Sequence, residues 1–588
     1  MYQPGLLEQI HASIQHAVAS VSGLSPAEVD PQLRFADGRF GDLQANFAMA
    51  LARKLERKPR DLALDVVNAL PPAATALLAE PPTVAGPGFV NLRLADAALA
   101  AELARILADP NLGITPADAP RHVVVDYCGA NIAKQMHVGH LRSLILGDAI
   151  ARVLEFLGHR VTRQNHVGDW GLQMGMITHA VRSAQIPPEK LDLATLERLY
   201  REVNRQQDAD PDLRRQLIAN TRELQQADKA GLVHWQAARR LTLDAVHSVF
   251  QQLGVSLGPE HVRGESDYAE RYAPMIQDLL QRKIARPTEG AIGIFPDGFS
   301  NKDGEPRPFI VQSRDGTYQY ATFDLAAIAY RAETLQADRV VYTHDARQAE
   351  HFAMLFAAAR QAGYAGAMQL DFAPFGTVLG EDRKPLKTRS GENVLLADLL
   401  REAVDRAQAM VREKNPDLPE TQSEQIARAV GIGALKYADL SNERIRDYEF
   451  NWDRMLALKG NTAPYLQYAY TRICSILTRA GHPLPDQPGS PPTPATPLAI
   501  AHPAERAAVL GLMQFPSAVR HVADKLEPHV LCNQLYDIAT RLHALLEQCV
   551  VLCDEPDQRA ARLALCTAVA RTLSTGLHLL GIQTPTRM

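Results

Sequence analysis

The chain of 588 residues is too long for one ordinary core and should divide into about three or four domains, at roughly 150 residues each. Its 46% apolar and 22% charged residues are those of an ordinary globular protein, which excludes a disordered or fibrous chain. With 62 basic against 67 acidic residues, a net charge of −5 excludes a uniformly basic nucleic-acid binder. Local clusters of Lys and Arg remain possible, because phosphate attraction depends on where they lie.

The opening residues, MYQPGLLEQIHAS, carry no basic stretch followed by an apolar core, and no apolar run approaches the ~20 residues that cross a bilayer. A cytoplasmic location without membrane attachment is therefore the expectation. Residues 1 to about 115 read as a small mixed domain. Helices are predicted near Leu6 to Val21 and Asn46 to Leu55, and polar and apolar residues alternate as in a strand from Gly88 to Leu94. Thr115-Pro-Ala-Asp-Ala-Pro120 breaks the pattern and marks a boundary.

From about 120 to 400 a second domain is predicted. It opens on the apolar run Val123 to Val125, then a loop, then a helix carrying Leu141, Leu144, Ile145, Val153, Leu154 and Leu157. Gly158 suits a helix stop, and a strand restarts near Arg160-Val161. Strand, loop, helix, strand is the pattern of a parallel nucleotide-binding sheet. A polar stretch with helical periodicity, about 185 to 245, reads as a helical insertion, and strand-like runs resume at Ile292 to Phe295 and Arg339 to Tyr342.

After about residue 400 strand signals disappear. Amphipathic stretches at Glu402 to Arg412, Ser423 to Leu440 and Ala504 to Leu526 predict a helical region over 401–588, the last stretch broken at Pro516. The proline-rich segment from His482 to Pro497 reads as a solvent loop. The six cysteines are scattered; Cys549 and Cys553 would lie one turn apart on a helix, but the further ligands of a zinc site are missing, so no structural metal is expected.

The chemistry concentrates in Val125-Asp-Tyr-Cys-Gly-Ala-Asn-Ile-Ala-Lys-Gln-Met-His-Val-Gly-His-Leu-Arg-Ser143, which leads from a strand into a helix N-terminus. His137 and His140 lie three apart on one side of the first turn, where free N–H groups and the positive dipole end favour an anion. Gly139 between them lets a nucleotide approach the backbone. Lys134, three residues earlier, is a further candidate phosphate contact. Such an arrangement suits stabilising charge on a transferring phosphate.

His137-Val-Gly-His140 in this context resembles the HIGH signature of class I aminoacyl-tRNA synthetases. Asp126-Tyr127, Asn131-Ile-Ala-Lys134, Gly147-Asp148, Asn165 to Gln173, Tyr318 to Asp324, Asp345 to Gln348 with His351, and Asp447 to Asp453 with Gly460 to Tyr468 resemble the arginyl-tRNA synthetase family in particular. So do Phe40 to Asn46 and the closing Leu580 to Met588, so the similarity runs along nearly the whole chain.

The resemblance implies an α/β architecture: a Rossmann-type catalytic domain, a small α+β N-terminal domain that binds the tRNA elbow, and an all-α C-terminal domain that binds the anticodon. It implies an arginine–tRNA ligase reaction on ATP, taken as its Mg2+ complex, with L-arginine and tRNA(Arg) as partners, in a monomer. By the same resemblance Asp126 and Asp324 hold the guanidinium, Tyr320 frames it, and Asn131 with Gln348 holds the amino end. A buried guanidinium needs such carboxylate partners, since an unpaired charge is costly. The second class I signature, KMSKS, is degenerate here: Gly380 to Gly391 offers Lys384, Lys387 and Arg389, and the resemblance implies that Lys134 stands in for the missing lysine. Lys384 and Lys387 are expected to move onto the phosphates when ATP binds. Tyr465, Tyr468 and Tyr470 with Arg472, and Phe40 and Gln44 in the N-terminal domain, are candidate RNA contacts, because splayed bases stack on aromatic rings. The family further implies that tRNA binds before arginine is activated. Alternatives are a class I enzyme for another amino acid, a related nucleotidylyltransferase, and a non-catalytic RNA-binding paralogue.

Overall fold

Valine-rich His122–Asp126 is buried at every residue, and it forms the middle of a five-stranded sheet in the computed structural model. The sheet order is Gln369–Phe372, Arg339–Tyr342, His122–Asp126, Arg160–Val167, Val262–Gly264, with every pair parallel. A strand apolar on both faces must be covered on both sides. The chain first builds outward from His122–Asp126 on one side and then returns to its other side, so the order reverses there. Ligands in such sheets bind beyond the strand C-termini at that reversal. The structure describes residues 4–36, 38–226, 232–387, 393–485 and 498–588.

Helix Val138–Phe156 leaves the first strand's loop and packs against the sheet with Leu141 to Ala151 all buried. Gly158, at φ 86°, reverses the chain into Arg160–Val167. The insertion consists of helices Leu193–Gln206, Pro211–Gln226 and Val233–Leu253. A separate antiparallel sheet, Ala285–Thr288, Ala291–Ile294 and Phe309–Gln312, follows it. The N-terminal part carries helix Leu6–Ser22 and a four-stranded antiparallel sheet, in which Phe89–Leu92 pairs with Leu43–Ala45.

Three expectations for the C-terminal part need correction. Helix Pro503–Lys525 runs unbroken through Pro516. Proline in a helix interior costs about 3 kcal/mol, but Phe515, Ala518, Val519 and Val522 are buried on the face that packs against helix Pro528–Gln548, and that burial holds the helix together. Strand pairing also continues past residue 400, since Tyr448–Glu449 pairs in parallel with Val378–Leu379. A ladder two residues long is too short to leave an alternation signal. Finally, helix Pro528–Gln548 ends before Cys549, so Cys549 and Cys553 do not share a helical turn. Among the described residues, no group of three or more His, Cys, Asp or Glu could hold a metal ion, and no helix is long and apolar enough to cross a membrane.

One hydrophobic core joins the N-terminal part, helix Val138–Phe156 and the C-terminal helices, while a second packs the insertion against the other half of the sheet. Arg506 ties the two ends of the chain together by pairing with Asp42 and Asp96. Of the proline-rich segment, residues 486–497 lie outside the described residues, as does Arg389.

Candidate active site

The loop after His122–Asp126 turns through left-handed backbone at Cys128, Gly129 and Ala133. It is pinned where the Cys128 N–H donates to Ser143 Oγ (2.9 Å), whose own hydroxyl donates to the Thr343 carbonyl (2.6 Å). The loop, the helix and the neighbouring strand are thereby locked together at the sheet's reversal point.

His137 caps the helix: the Gly139 N–H donates to His137 Nδ1 (3.1 Å), and the His137 N–H donates to His140 Nδ1 (3.2 Å). With its Nδ1 accepting from Gly139, the His137 ring carries its proton on Nε2 and can donate outward, whereas His140 Nδ1 lies between the His137 N–H (3.2 Å) and the His137 carbonyl (3.3 Å) and takes either role with its tautomer. The ring centroids lie 4.3 Å apart. Burial, then the neighbouring His137 and Lys134, pushes the His140 imidazole down to about 4; burial and Lys134 also lower that of His137. Near pH 7 the pair is neutral, so it acts through directed N–H groups. A Cβ on Gly139 would stand 2.7 Å from His137 Cε1, which leaves room for no other residue without moving the ring.

The degenerate second signature is stitched to this motif. The Val138 N–H donates to the Val394 carbonyl (2.9 Å), the Leu396 N–H to that of Met136 (2.9 Å), and Lys387 pairs across the loop with Asn393. The loop is therefore anchored beside His137, while Lys384 and Lys387 are exposed.

Beyond the C-terminal ends of the same strands lies a cluster of carboxylates. Helix Tyr320–Glu333 does put Tyr320 and Asp324 on one face. Asp324 Oδ2 is 2.7 Å from His351 Nε2, Oδ1 is 3.5 Å from His166 Nε2, and the Tyr320 ring, 62% exposed, lies 5.0 Å from that of His351. Burial pushes the Asp324 carboxyl up, but the hydrogen bond and charge of His351, with His166, hold it below the usual carboxylate value. Asp126 is placed differently. Its Oδ2 is 2.6 Å from Arg331 Nη2, both side chains are buried, and Arg331 Nε donates to Gln164 (2.7 Å). The chain thus supplies Asp126 with a guanidinium of its own, which overrides burial and keeps the carboxylate ionised. Asp126 Oδ1 has no hydrogen-bond partner among the described residues, and His344 Nε2 stands 3.8 Å away.

Asn131 lies over Gly168, where a Cβ would collide with its Oδ1, and a carboxylate that sequence reasoning missed, Glu265, flanks the same glycine. Glu265 Oε2 accepts from the Trp170 N–H (3.0 Å). Burial, with the charges of Asp169 and Asp324, raises its carboxyl well above the ordinary value. A carboxyl so raised would be stabilised in its charged form by a cation. The strand before it, Val262–Gly264, is too short to signal a sheet edge from sequence. Gln348 ends the single turn Ala346–Gln348, exposed at the start of helix Ala349–Ala362.

Helix Ala463–Arg479 separates the candidate RNA contacts. Tyr468 is 42% exposed and Arg472 is exposed, whereas Tyr465 is half-buried against His543 and Tyr536. Tyr470 is 0% exposed and belongs to the core, so its expected role in stacking is withdrawn. Phe40 is exposed at the end of the single turn Gly38–Phe40, and Gln44, in strand Leu43–Ala45, is engaged by Asn91 (2.9 Å) and Arg34 (3.2 Å).

Comparison with known proteins bears on the whole chain. Residues 8–94 match the arginyl tRNA synthetase N terminal domain, 102–452 match the catalytic domain of class I (R) tRNA synthetases, and 466–588 match the DALR anticodon binding domain. Relatives include the arginine–tRNA ligase of Laribacter hongkongensis, 45% identical over 92% of this chain and 93% of that protein. Another, from Erwinia tasmaniensis, is 42% identical over 98% of each. Among solved structures, arginyl-tRNA synthetase from Plasmodium falciparum superposes with a TM-score of 0.83 at 25% identity, covering 100% of both chains. That from Thermus thermophilus gives 0.79 at 27% identity over 98% of this chain and 100% of its own.

Proposed function

The chain belongs to the arginyl-tRNA synthetase family, and from its geometry we propose which residues carry out that family's reaction. It is an arginine-specific aminoacyl-tRNA ligase of class I. ATP activates L-arginine to the adenylate as a carboxylate oxygen attacks the α-phosphorus and pyrophosphate leaves. The 3′ terminal ribose of tRNA then attacks the arginyl carbonyl, and AMP departs.

In this reading the Nε2–H of His137 and the imidazole of His140, at the helix N-terminus, face the phosphate oxygens on which charge builds. Gly139 gives the nucleotide access to the backbone, and Lys134 meets the leaving pyrophosphate. Lys384 and Lys387, on a loop anchored beside His137, close over it. Asp324 takes the guanidinium with Tyr320 beside it and Glu265 adding charge. Asp126 contributes through Oδ1, its other oxygen being held by Arg331. Asn131 and Gln348 hold the amino end of the substrate. Residues 1–115 bind the tRNA elbow through Phe40 and Gln44, 120–400 form the catalytic unit, and 401–588 bind the anticodon of tRNA(Arg) through Tyr465, Tyr468 and Arg472. ATP enters as its Mg2+ complex, and the enzyme works as a cytoplasmic monomer.

The observation that carries the reading is the juxtaposition of a neutral histidine pair at a helix N-terminus with a histidine-buttressed carboxylate, Asp324, at one reversal point of the sheet. Arginine-dependent ATP–pyrophosphate exchange tests it. Exchange should be absent without tRNA and appear on its addition, and should fall about ten- to a hundredfold in kcat/KM for arginine in Asp324→Asn, the scale of a lost hydrogen bond to a charge. Full activity of that variant would refute the assignment of Asp324; robust exchange without tRNA would remove the tRNA-first order.

A further inference from the structure

Three consecutive residues just before the histidine motif each touch the helical insertion and nothing in the reaction itself explains why. The Ala133 N–H donates to Thr242 Oγ1 (2.9 Å) in helix Val233–Leu253. Lys134 Nζ sits 4.9 Å from the centre of the Tyr200 ring, and Gln135 Nε2 donates to Glu197 Oε2 (2.7 Å), both partners lying on helix Leu193–Gln206. Ala133 itself is left-handed, at φ 59°, so this strap is held against its backbone preference.

Helix Leu193–Gln206 is well placed to be a fixed support. Leu196, Leu199 and Val203 are buried in the second core and Tyr200 packs against it part-buried, with Glu197 three residues before Tyr200. The two side chains do different work. Glu197 takes the Gln135 amide on Oε2 and the Arg201 guanidinium on Oε1 (2.7 Å), which fixes the residue that follows Lys134 in the strap. Tyr200 offers the ammonium the face of a ring. That attraction steers the charge but uses up none of its three N–H donors, which stay free for phosphate.

We propose that Tyr200 is a positioning residue for phosphate transfer, the inserted helix serving as the support that aims Lys134 at the ATP phosphates. The proposal rests on the phosphate role given to Lys134 above.

The test is tRNA-dependent pyrophosphate exchange at varied ATP and varied arginine for Tyr200→Leu, Tyr200→Met, Tyr200→Phe, Lys134→Ala and the double variant Lys134→Ala/Tyr200→Leu, with melting curves for each. Losing the ring should raise KM for ATP about two- to fivefold, the scale of a partly exposed cation–π contact, with KM for arginine unchanged and Tm lowered only slightly and equally in Tyr200→Leu and Tyr200→Met, because the ring also packs against the second core. Tyr200→Phe should behave as the unaltered enzyme, Tyr200→Met like Tyr200→Leu, and the double variant no worse than Lys134→Ala. If Lys134→Ala is impaired but Tyr200→Leu and Tyr200→Met are not, or if the two effects multiply, the positioning role is overturned alone. If Lys134→Ala leaves ATP kinetics unchanged, the phosphate role of Lys134 falls and this proposal falls with it.

Discussion

Gly139→Ala separates the chemistry of the site from the stability of the fold. The backbone at Gly139 is not left-handed, so alanine fits its dihedrals, but the added Cβ would stand 2.7 Å from His137 Cε1 and 2.9 Å from its Nδ1. The obstructing atoms belong to a side chain, so the imidazole swings away and the helix stays. Losing the cap from the Gly139 N–H to His137 costs about 1 kcal/mol. Replacing glycine by alanine near a helix start returns about 0.5–1 kcal/mol. The two nearly cancel, and Tm should move by no more than about 4 °C. Activity should respond far more, because removing one preorganised donor costs about a hundred- to a thousandfold in kcat. Pyrophosphate exchange in the presence of tRNA, paired with a thermal melt, reads both quantities. Exchange within twofold of the unaltered enzyme would refute the phosphate role of the His137 ring, and a collapse of Tm would refute the claim that only a side chain yields.

Arg331→Met should strip Asp126 of its buried partner and lower stability by about 3–5 kcal/mol in chemical denaturation, with much of the loss recovered in Arg331→Met/Asp126→Asn; an unchanged midpoint would show that the pair contributes nothing. His140 titrates at about 4 in the fold against 6.5 when exposed. The unfolded chain therefore binds the proton first as pH falls, so stability is full above pH 6.5 and declines down to pH 4, by up to about 3 kcal/mol. His140→Gln should flatten that part of the profile, and an identical profile would count against the buried neutral ring. In the C-terminal helix, Tyr468→Ala should raise KM for tRNA with Tm unchanged, whereas Tyr470→Ala should cost about 3–5 kcal/mol of stability as a large core side chain is lost. The reverse pattern would exchange their roles.

Local features of this chain were legible residue by residue. The Val123 to Val125 run, the Gly158 stop and the 3.6-residue spacing of Leu141, Leu144 and Ile145 specify strand, turn and helix through contacts within a few positions, and His137, Gly139 and His140 meet within one helical turn. The four-residue spacing of Tyr320 and Asp324 likewise needed only a helix to become a shared face. Pairings across long stretches of chain were decided by the tertiary fold. Asp126 meets Arg331 and Ala133 meets Thr242 only because the sheet order and the insertion bring them together. Glu265 enters the site from a strand too short to announce itself, and Pro516 stays helical because burial outweighs a lost hydrogen bond. Sequence by itself determined the elements and the chemical groups available to the site, since propensity and periodicity act over a turn or two. Which of those groups remain open to a substrate, and which are already satisfied by the protein, only the tertiary structure decided, because charges and hydrogen bonds act across space with no regard for position along the chain.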